Sequence, residues 1–214
     1  MVRGFVLNLK VAFSVEFEAI PPYNFELTLR KPAGWYWSTP EEICEKGICW
    51  SVTRFNGELL GVKLRSTGTV RKPWIHCTVY SQTKLDDSSK QAIMRMLKRS
   101  LKVEEDLTGF YKLSQKDDIL RGVFKDLYGM HTIGWPELFP ALILAVSLQM
   151  APMKRSNQMM YLLMANFGDE ASFDRKTFRY WPLAKTIAAL PVEELQVKLN
   201  WATEPKTSKL SRQP

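Results

Sequence analysis

Residues 137–148 constrain the fold of this chain more than any other stretch. They read ELFPALILAVSL, with a single charge at the start and one serine near the end. A helix on the surface of a globular protein carries one apolar stripe, whereas apolar residues here fall nearly all round the helical wheel. The run is also far short of the ~20 residues that a bilayer demands. A buried central helix of an α-helical domain is therefore expected, opened by Trp135-Pro136-Glu137 with proline at a first-turn position.

The chain before this helix has a different texture. The N-terminal residues, interrupted by Asn8, Lys10 and Glu16, read poorly as a signal peptide and better as a first strand. Phe25-Glu26-Leu27-Thr28-Leu29 alternates apolar and polar residues, the period of a half-buried strand. Residues 48–55 and 59–64 are rich in strand formers, and Asn56-Gly57 between them fits a tight hairpin whose central residues need positive φ. Residues 74–80 alternate again, and residues 88–101 place Ile93, Met94, Leu97 and Leu101 on one helical face. After residue 102 helices dominate. One is expected over 117–127 behind Ser114 as cap with Gly129 ending it, another over 156–166, and two short ones over 182–190 and 192–199. The fold class that follows is α+β: an N-terminal antiparallel sheet domain with helices (1–101), then an incomplete all-α domain (102–199), then a tail (200–214).

Hydrophobic residues make up 45% of the chain, enough for a sizeable core. The net charge of +8 suits a polyanionic partner, since each Lys or Arg placed on a phosphate releases a counterion. Cys44, Cys49 and Cys77 have no zinc spacing and are expected to be reduced and mostly buried, and no metal site or cofactor is expected. No run of eighteen apolar residues exists, so no membrane span is expected. With no signal peptide read at the N-terminus the protein is expected to be cytoplasmic, and a monomer is the expected state.

Several segments, taken in order, resemble the helix-hairpin-helix DNA glycosylases, in particular 3-methyladenine DNA glycosylase II and the 8-oxoguanine DNA glycosylases. Pro22-Tyr23-Asn24-Phe25-Glu26-Leu27-Thr28-Leu29 is similar to their opening segment, and Asp106-Leu107-Thr108-Gly109-Phe110-Tyr111 to their "D-L-x-x-F-Y" linker. The run from Trp135 through Gln149-Met150 resembles their "P-x-L-F-E-A-L-x-x-x-I-x-x-Q" helix. Asn166-Phe167-Gly168 matches the end of the following helix, and Trp181-Pro182 with Ile187-Ala188-Ala189-Leu190 and Glu193-Glu194-Leu195 matches a later "F-P-x-P-x-x-I-A-x-L-x-x-E-E-L". The resemblance spans residues 22–199. It implies base-excision repair, with double-stranded DNA carrying a damaged base as partner. Enzymes of this kind extrude the damaged nucleotide and must fill the gap in the stack. The resemblance implies Met150 as the wedge, with Gln149 beside it, an unbranched thioether being a plausible apolar intercalator. Lys154 and Arg155, at the start of the next helix, are candidates for phosphate contacts. Trp35, Trp37 and Trp135, with Tyr36 and Trp50, are candidates for stacking on an extruded base, although a Trp more often anchors a core.

The sequence also departs from the family. Its members place a Gly-rich hairpin and a catalytic Asp after these segments, but the last glycine here is Gly168 and the last aspartate Asp174. No catalytic residue is therefore assigned, and the chain is expected to be inactive as a glycosylase. Back-translating residues 200–207 and shifting the frame yields Leu-Gly-Tyr-Arg-Ala-Lys, which resembles the family's next segment, so the tail is expected to be frameshifted. Residues 31–37 read KPAGWYW rather than the "G-Q-x-F-R-W" of the 8-oxoguanine branch, which favours alkylated purines. The alternatives are an 8-oxoguanine-type relative, a non-catalytic DNA-binding module, and an α+β protein with an unrelated role.

Overall fold

A computed structural model describes residues 6–30, 42–134, 137–149 and 152–200. Five strands form an antiparallel sheet in the order β2-β6-β5-β4-β3: β2 Lys10–Glu18, β3 Ile43–Glu45, β4 Ile48–Phe55, β5 Glu58–Ser66 and β6 Trp74–Ser81. The β4–β5 hairpin turns at Asn56 (φ 49°) and Gly57 (φ 86°), the left-handed pair the sequence predicts.

Both faces of this sheet are covered at its centre. Leu60, Val62 and Leu64 of β5, with Cys77 and Val79 of β6, face helix α2 (Asp87–Leu101), which buries Ile93, Leu97 and Leu101 against them. Trp50 and Val52 of β4, Leu59 and Tyr80 face the other way. There they meet a second sheet, β1-β7-β8, in which β1 (Val6–Asn8) runs parallel to β7 (Asp169–Phe173) and β7 pairs antiparallel with β8 (Lys176–Tyr180). Burial on both faces is why β4 and β5 read as nearly unbroken strand formers rather than as clean alternation. Gly61 makes the contact between the layers possible: a Cβ there would lie 2.6 Å from the Phe173 ring.

The remaining helices are α1 (Phe25–Leu29), α3 (Thr108–Ser114), α4 (Asp118–Asp126), α5 (Leu138–Gln149), α6 (Met153–Phe167), α7 (Ala184–Ala188) and α8 (Val192–Lys198). Among the described residues no helix is long and apolar enough to cross a membrane. The architecture is thus α+β, with the antiparallel sheet read from the sequence joined by a second, mixed sheet of three strands.

Five expectations are corrected. Phe25–Leu29 is a helical turn, not a strand, because Asn24 caps it by accepting from the Leu27 N–H (3.1 Å) and the buried residues Phe25, Thr28 and Leu29 follow helical spacing. The stretch 102–199 is not purely helical, since the β7–β8 hairpin lies within it. Its turn at Asp174 and Arg175 (φ 47° and 61°) lacks the glycine that usually marks such turns, while Ala171, Phe173, Phe178 and Tyr180 alternate inward. Ser114 does not cap α4. It ends α3, and the Asp117 carboxylate caps α4 by accepting from the Ile119 and Leu120 N–H groups (2.9 Å each). Cys44 and Cys49 form a disulfide, because the β3–β4 hairpin sets them directly opposite, and Cys77 alone is a buried free thiol.

The fifth correction concerns α5. It is not buried all round: Pro140, Leu144 and Ser147 face inward, while Leu138 (74% exposed), Leu142 (52%) and Val146 (52%) form a solvent-facing stripe among the described residues. Its inner face lies against α6, which buries Met159, Met160, Leu163 and Met164.

Candidate nucleic-acid interface

Three of the sequence-predicted contact residues lie on consecutive helix ends, Gln149 at the close of α5 and Lys154 and Arg155 in the first turn of α6. Gln149 ends α5 with its side chain exposed. Met150 lies outside the described residues. Pro152 occupies the position before α6, and its carbonyl accepts from the Arg155 N–H (2.9 Å) and the Ser156 N–H (3.0 Å). The buried Ser156 hydroxyl donates to the Ser147 carbonyl (2.8 Å), tying the first turn of α6 to the last turn of α5. The facing ends of α5 and α6 are therefore tied to each other, with Gln149, Pro152 and Met153 exposed beside that tie.

Its electrostatics are positive. The first turn of the 15-residue α6 contains no acidic residue, so nothing there offsets the partial positive charge of the helix N-terminus. Lys154 is exposed at that end, and Arg155 is half-buried beside it. Arg155 donates to the Gln158 side chain (3.1 Å) and to the Asn200 carbonyl, which links α6 to the chain just past α8. A helix N-terminus with two adjacent cations is chemically suited to an oxyanion such as a backbone phosphate.

The tryptophan candidates fare differently. Trp35, Trp37 and Trp135, with Tyr36, lie outside the described residues. Trp50 is only 8% exposed and packs as an anchor, donating Nε1–H to Asp174 (2.6 Å), with the Lys176 Nζ 4.6 Å and the Lys63 Nζ 5.5 Å from its ring centre. The hydrogen bond from Lys63, followed by that from Trp50, holds the Asp174 carboxyl below its ordinary value. No stacking platform is left at Trp50. A separate cavity of about 290 Å³ opens between α3 and α4, walled by Phe110, Tyr111, Phe124 and Leu127. His131 at its edge is already engaged, with Nδ1 3.2 Å from Glu105 and Nε2 3.1 Å from the Pro22 carbonyl.

Sequence reasoning missed a polar cluster where α5 begins. The Glu137 carboxylate accepts from the Arg54 backbone N–H (3.0 Å) and from the Tyr180 hydroxyl. The buried Arg54 guanidinium donates to the Gly57 carbonyl (2.9 Å), the Asp169 carboxylate (2.7 Å) and the Trp181 carbonyl (2.9 Å), and lies over the Tyr180 ring. Burial raises the Glu137 carboxyl above its ordinary range, against the opposing pull of Tyr180 and Arg54. Burial and the facing Glu137 push the Tyr180 phenol well above its own. The residues come from positions 54, 137, 169 and 180, so no local pattern could reveal the cluster.

No protein-family model matches the chain. A protein of Bacillus subtilis (strain 168) named DNA-3-methyladenine glycosylase is 26% identical over 111 residues, which make up 51% of this chain and 37% of that protein. The match thus spans little more than a third of that relative's length. The structure of 3-methyladenine DNA-glycosylase from Archaeoglobus fulgidus superposes with a TM-score of 0.66 at 16% identity, covering 90% of this chain and 67% of that one. The chain is thus similar in sequence, over about half its length, to a DNA glycosylase, and similar in fold to DNA glycosylase structures. The glycosylase fold extends to the 8-oxoguanine glycosylase/lyase of Clostridium acetobutylicum, solved with double-stranded DNA, at a TM-score of 0.53 and 10% identity over 89% of this chain and 59% of that one. Of these two structures, the archaeal 3-methyladenine glycosylase is the nearer in fold.

Proposed function

We infer that this chain engages double-stranded DNA at a damaged base and belongs to base-excision repair, on the side of the N-glycosylases for alkylated purines. The observation that carries this reading is the α5–α6 turn within a glycosylase fold. Gln149 is exposed there, Lys154 and Arg155 flank it, and the α6 N-terminus carries no acidic residue in its first turn. Met150, the next residue along, serves as the wedge that fills the space left by the extruded base. Phosphate contacts at Lys154 and Arg155 set the register of the duplex against it. Residues 102–199, helices and β7–β8 hairpin together, act as part of the glycosylase unit, and residues 1–101 supply the five-stranded sheet and β1 that pack with it. The protein works as a cytoplasmic monomer.

None of the described residues is assigned the bond-cleaving step. Of the three carboxylates that follow α6 on the β7–β8 hairpin, Asp169 is bonded to Arg54, Glu170 to Arg179, and Asp174 to Lys63 and Trp50. The 214-residue chain therefore binds damaged duplex without releasing the base. The test is duplex titration at two salt concentrations beside a base-release assay on alkylated DNA. Salt-sensitive binding without release is the expected result. Absence of duplex binding at low salt overturns the reading, and turnover overturns the inactivity. The fold match to the 8-oxoguanine glycosylase/lyase supports a second substrate class, which competition between duplexes carrying alkylated purine and 8-oxoguanine separates.

A further inference from the structure

We propose that Glu137 is a positioning residue for DNA distortion, docking the start of α5 onto the sheets and thereby fixing where the far end of that helix meets the duplex. The inference rests on the proposed function and names what holds the interface in place.

Three observations lead to it. First, α5 is held on one side only, with Pro140, Leu144 and Ser147 buried, Ile143 and Leu148 half-buried against the core, and an exposed apolar stripe on its other side. Second, its two ends are tied by specific polar contacts. The far end is fastened by Ser156 to the Ser147 carbonyl, and the near end by the Glu137 carboxylate to the β4 backbone at Arg54 and to Tyr180 on β8. Third, the acceptor site is rigid. Arg54 bonds three partners on the β4–β5 turn, on β7 and just past β8, so β4 and β8 present the Arg54 N–H and the Tyr180 hydroxyl from a fixed frame.

The lever is geometric. A helix of 12 residues is about 18 Å long, so a tilt of about 10° at Glu137 moves the Gln149 end by about 3 Å. Side chains that must enter a base stack tolerate far less, since displacements of about 1 Å already erode a positioned contact. Among the described residues the Glu137 carboxylate is bonded at Arg54 and Tyr180, not at Lys154 or Arg155. Its influence on DNA passes through the direction of α5.

The experiment uses the 214-residue protein as wild type, Glu137→Ala, Glu137→Gln and Tyr180→Phe. Gln keeps an oxygen acceptor for both donors, and Tyr180→Phe removes only one of them. Spin labels attached by non-cysteine chemistry at Gln149 and at Arg95 on α2 report the direction of α5 by pulsed distance measurement. A 2-aminopurine beside the lesion in a duplex reports unstacking, and undamaged duplex at low salt reports general affinity. Wild type and Glu137→Gln should give one narrow distance and a bright probe. Glu137→Ala should broaden or shift the distance and cut the unstacking signal roughly tenfold while general affinity stays within about twofold. Tyr180→Phe should fall between. This intermediate keeps the inference decidable if the alanine variant does not fold, because a Tyr180→Phe protein identical to wild type in both readouts overturns it. An alanine variant with wild-type distance and wild-type unstacking also overturns it. A wild-type chain that binds duplex without brightening the probe overturns the functional reading and the DNA half of this inference, and the distance measurement then decides the docking by itself.

Discussion

Helices α2 and α5 are close in length, but α2 is completed by its own sequence and α5 is not. The α2 helix buries Ile93, Leu97 and Leu101 on one stripe, turns its charges outward, starts at an Asp86 cap and ends in a left-handed Lys102. It would be called a finished surface helix in any context. By contrast, α5 carries apolar residues on every side yet buries three, leaving Leu138, Leu142 and Val146 to solvent. Hydrophobicity alone therefore does not say which face of a helix holds the fold together. In α2 every apolar position works for stability. In α5 the inner face does so, and the orientation of the helix depends on polar contacts at its ends.

The largest expected effect tests that contrast directly. Ile93 is fully buried beneath the sheet, so Ile93→Ala should cost about 2–5 kcal/mol of unfolding free energy. Leu142→Ala, on the exposed stripe of α5, should cost no more than about 0.5 kcal/mol. Urea denaturation of the two variants compares them. Equal losses would mean that α5 is covered on both sides in solution, and the asymmetry would vanish.

A smaller effect separates the two regions by DNA binding. Lys154→Ala should weaken duplex binding evenly across sequences and flatten the log–log salt dependence by about one unit. Arg99→Ala removes another exposed cation, from the last turn of α2, and should leave the slope unchanged. If both variants change the slope equally, the interaction is with general positive charge rather than with the α5–α6 turn.

What could be read in advance follows the same division. The Asn56-Gly57 hairpin, α2 and the end of α6 were legible because their signals are local: turn residues that need positive φ, a 3.6-residue period, and a glycine after Phe167. Phe25–Leu29 was misread because five residues hold too little pattern to tell a helix from a strand, and the deciding atom is the Asn24 side-chain oxygen. The β7–β8 hairpin was missed because its turn is Asp174-Arg175 and its strands are short and polar. The Cys44–Cys49 pair depends on a register that spacing alone does not reveal. At the proposed interface, the order of motifs singles out Gln149, Lys154 and Arg155. Nothing local could lead to Arg54, Glu137, Asp169 and Tyr180, which meet only once two sheets and a helix are assembled. The same long-range assembly keeps Trp50 from acting as a stacking surface.

The smallest effect, and the most diagnostic of the contrast, is in pH. Each helix begins at a carboxylate, and the two shift in opposite directions. Hydrogen bonds from Ser89 and Ser88 lower Asp86 below its ordinary 3.8. Its contribution to α2 is therefore fully present above that value and lost as pH falls through the lower folded value. Burial raises Glu137 above its ordinary 4.5, so its linked contribution is fully present below 4.5 and lost as pH rises through the folded value. Acidification from neutrality should first strengthen the seat of α5 and only later, at lower pH, loosen the first turn of α2. Hydrogen exchange read at the two helix starts should show protection at α5 rising before protection at α2 falls. Glu137→Gln should abolish the first change and Asp86→Asn the second, each leaving the other intact. If one substitution removed both changes, the two helix starts would be a single titrating unit, and the distinction between a helix completed by its own sequence and a helix seated by remote contacts would not hold.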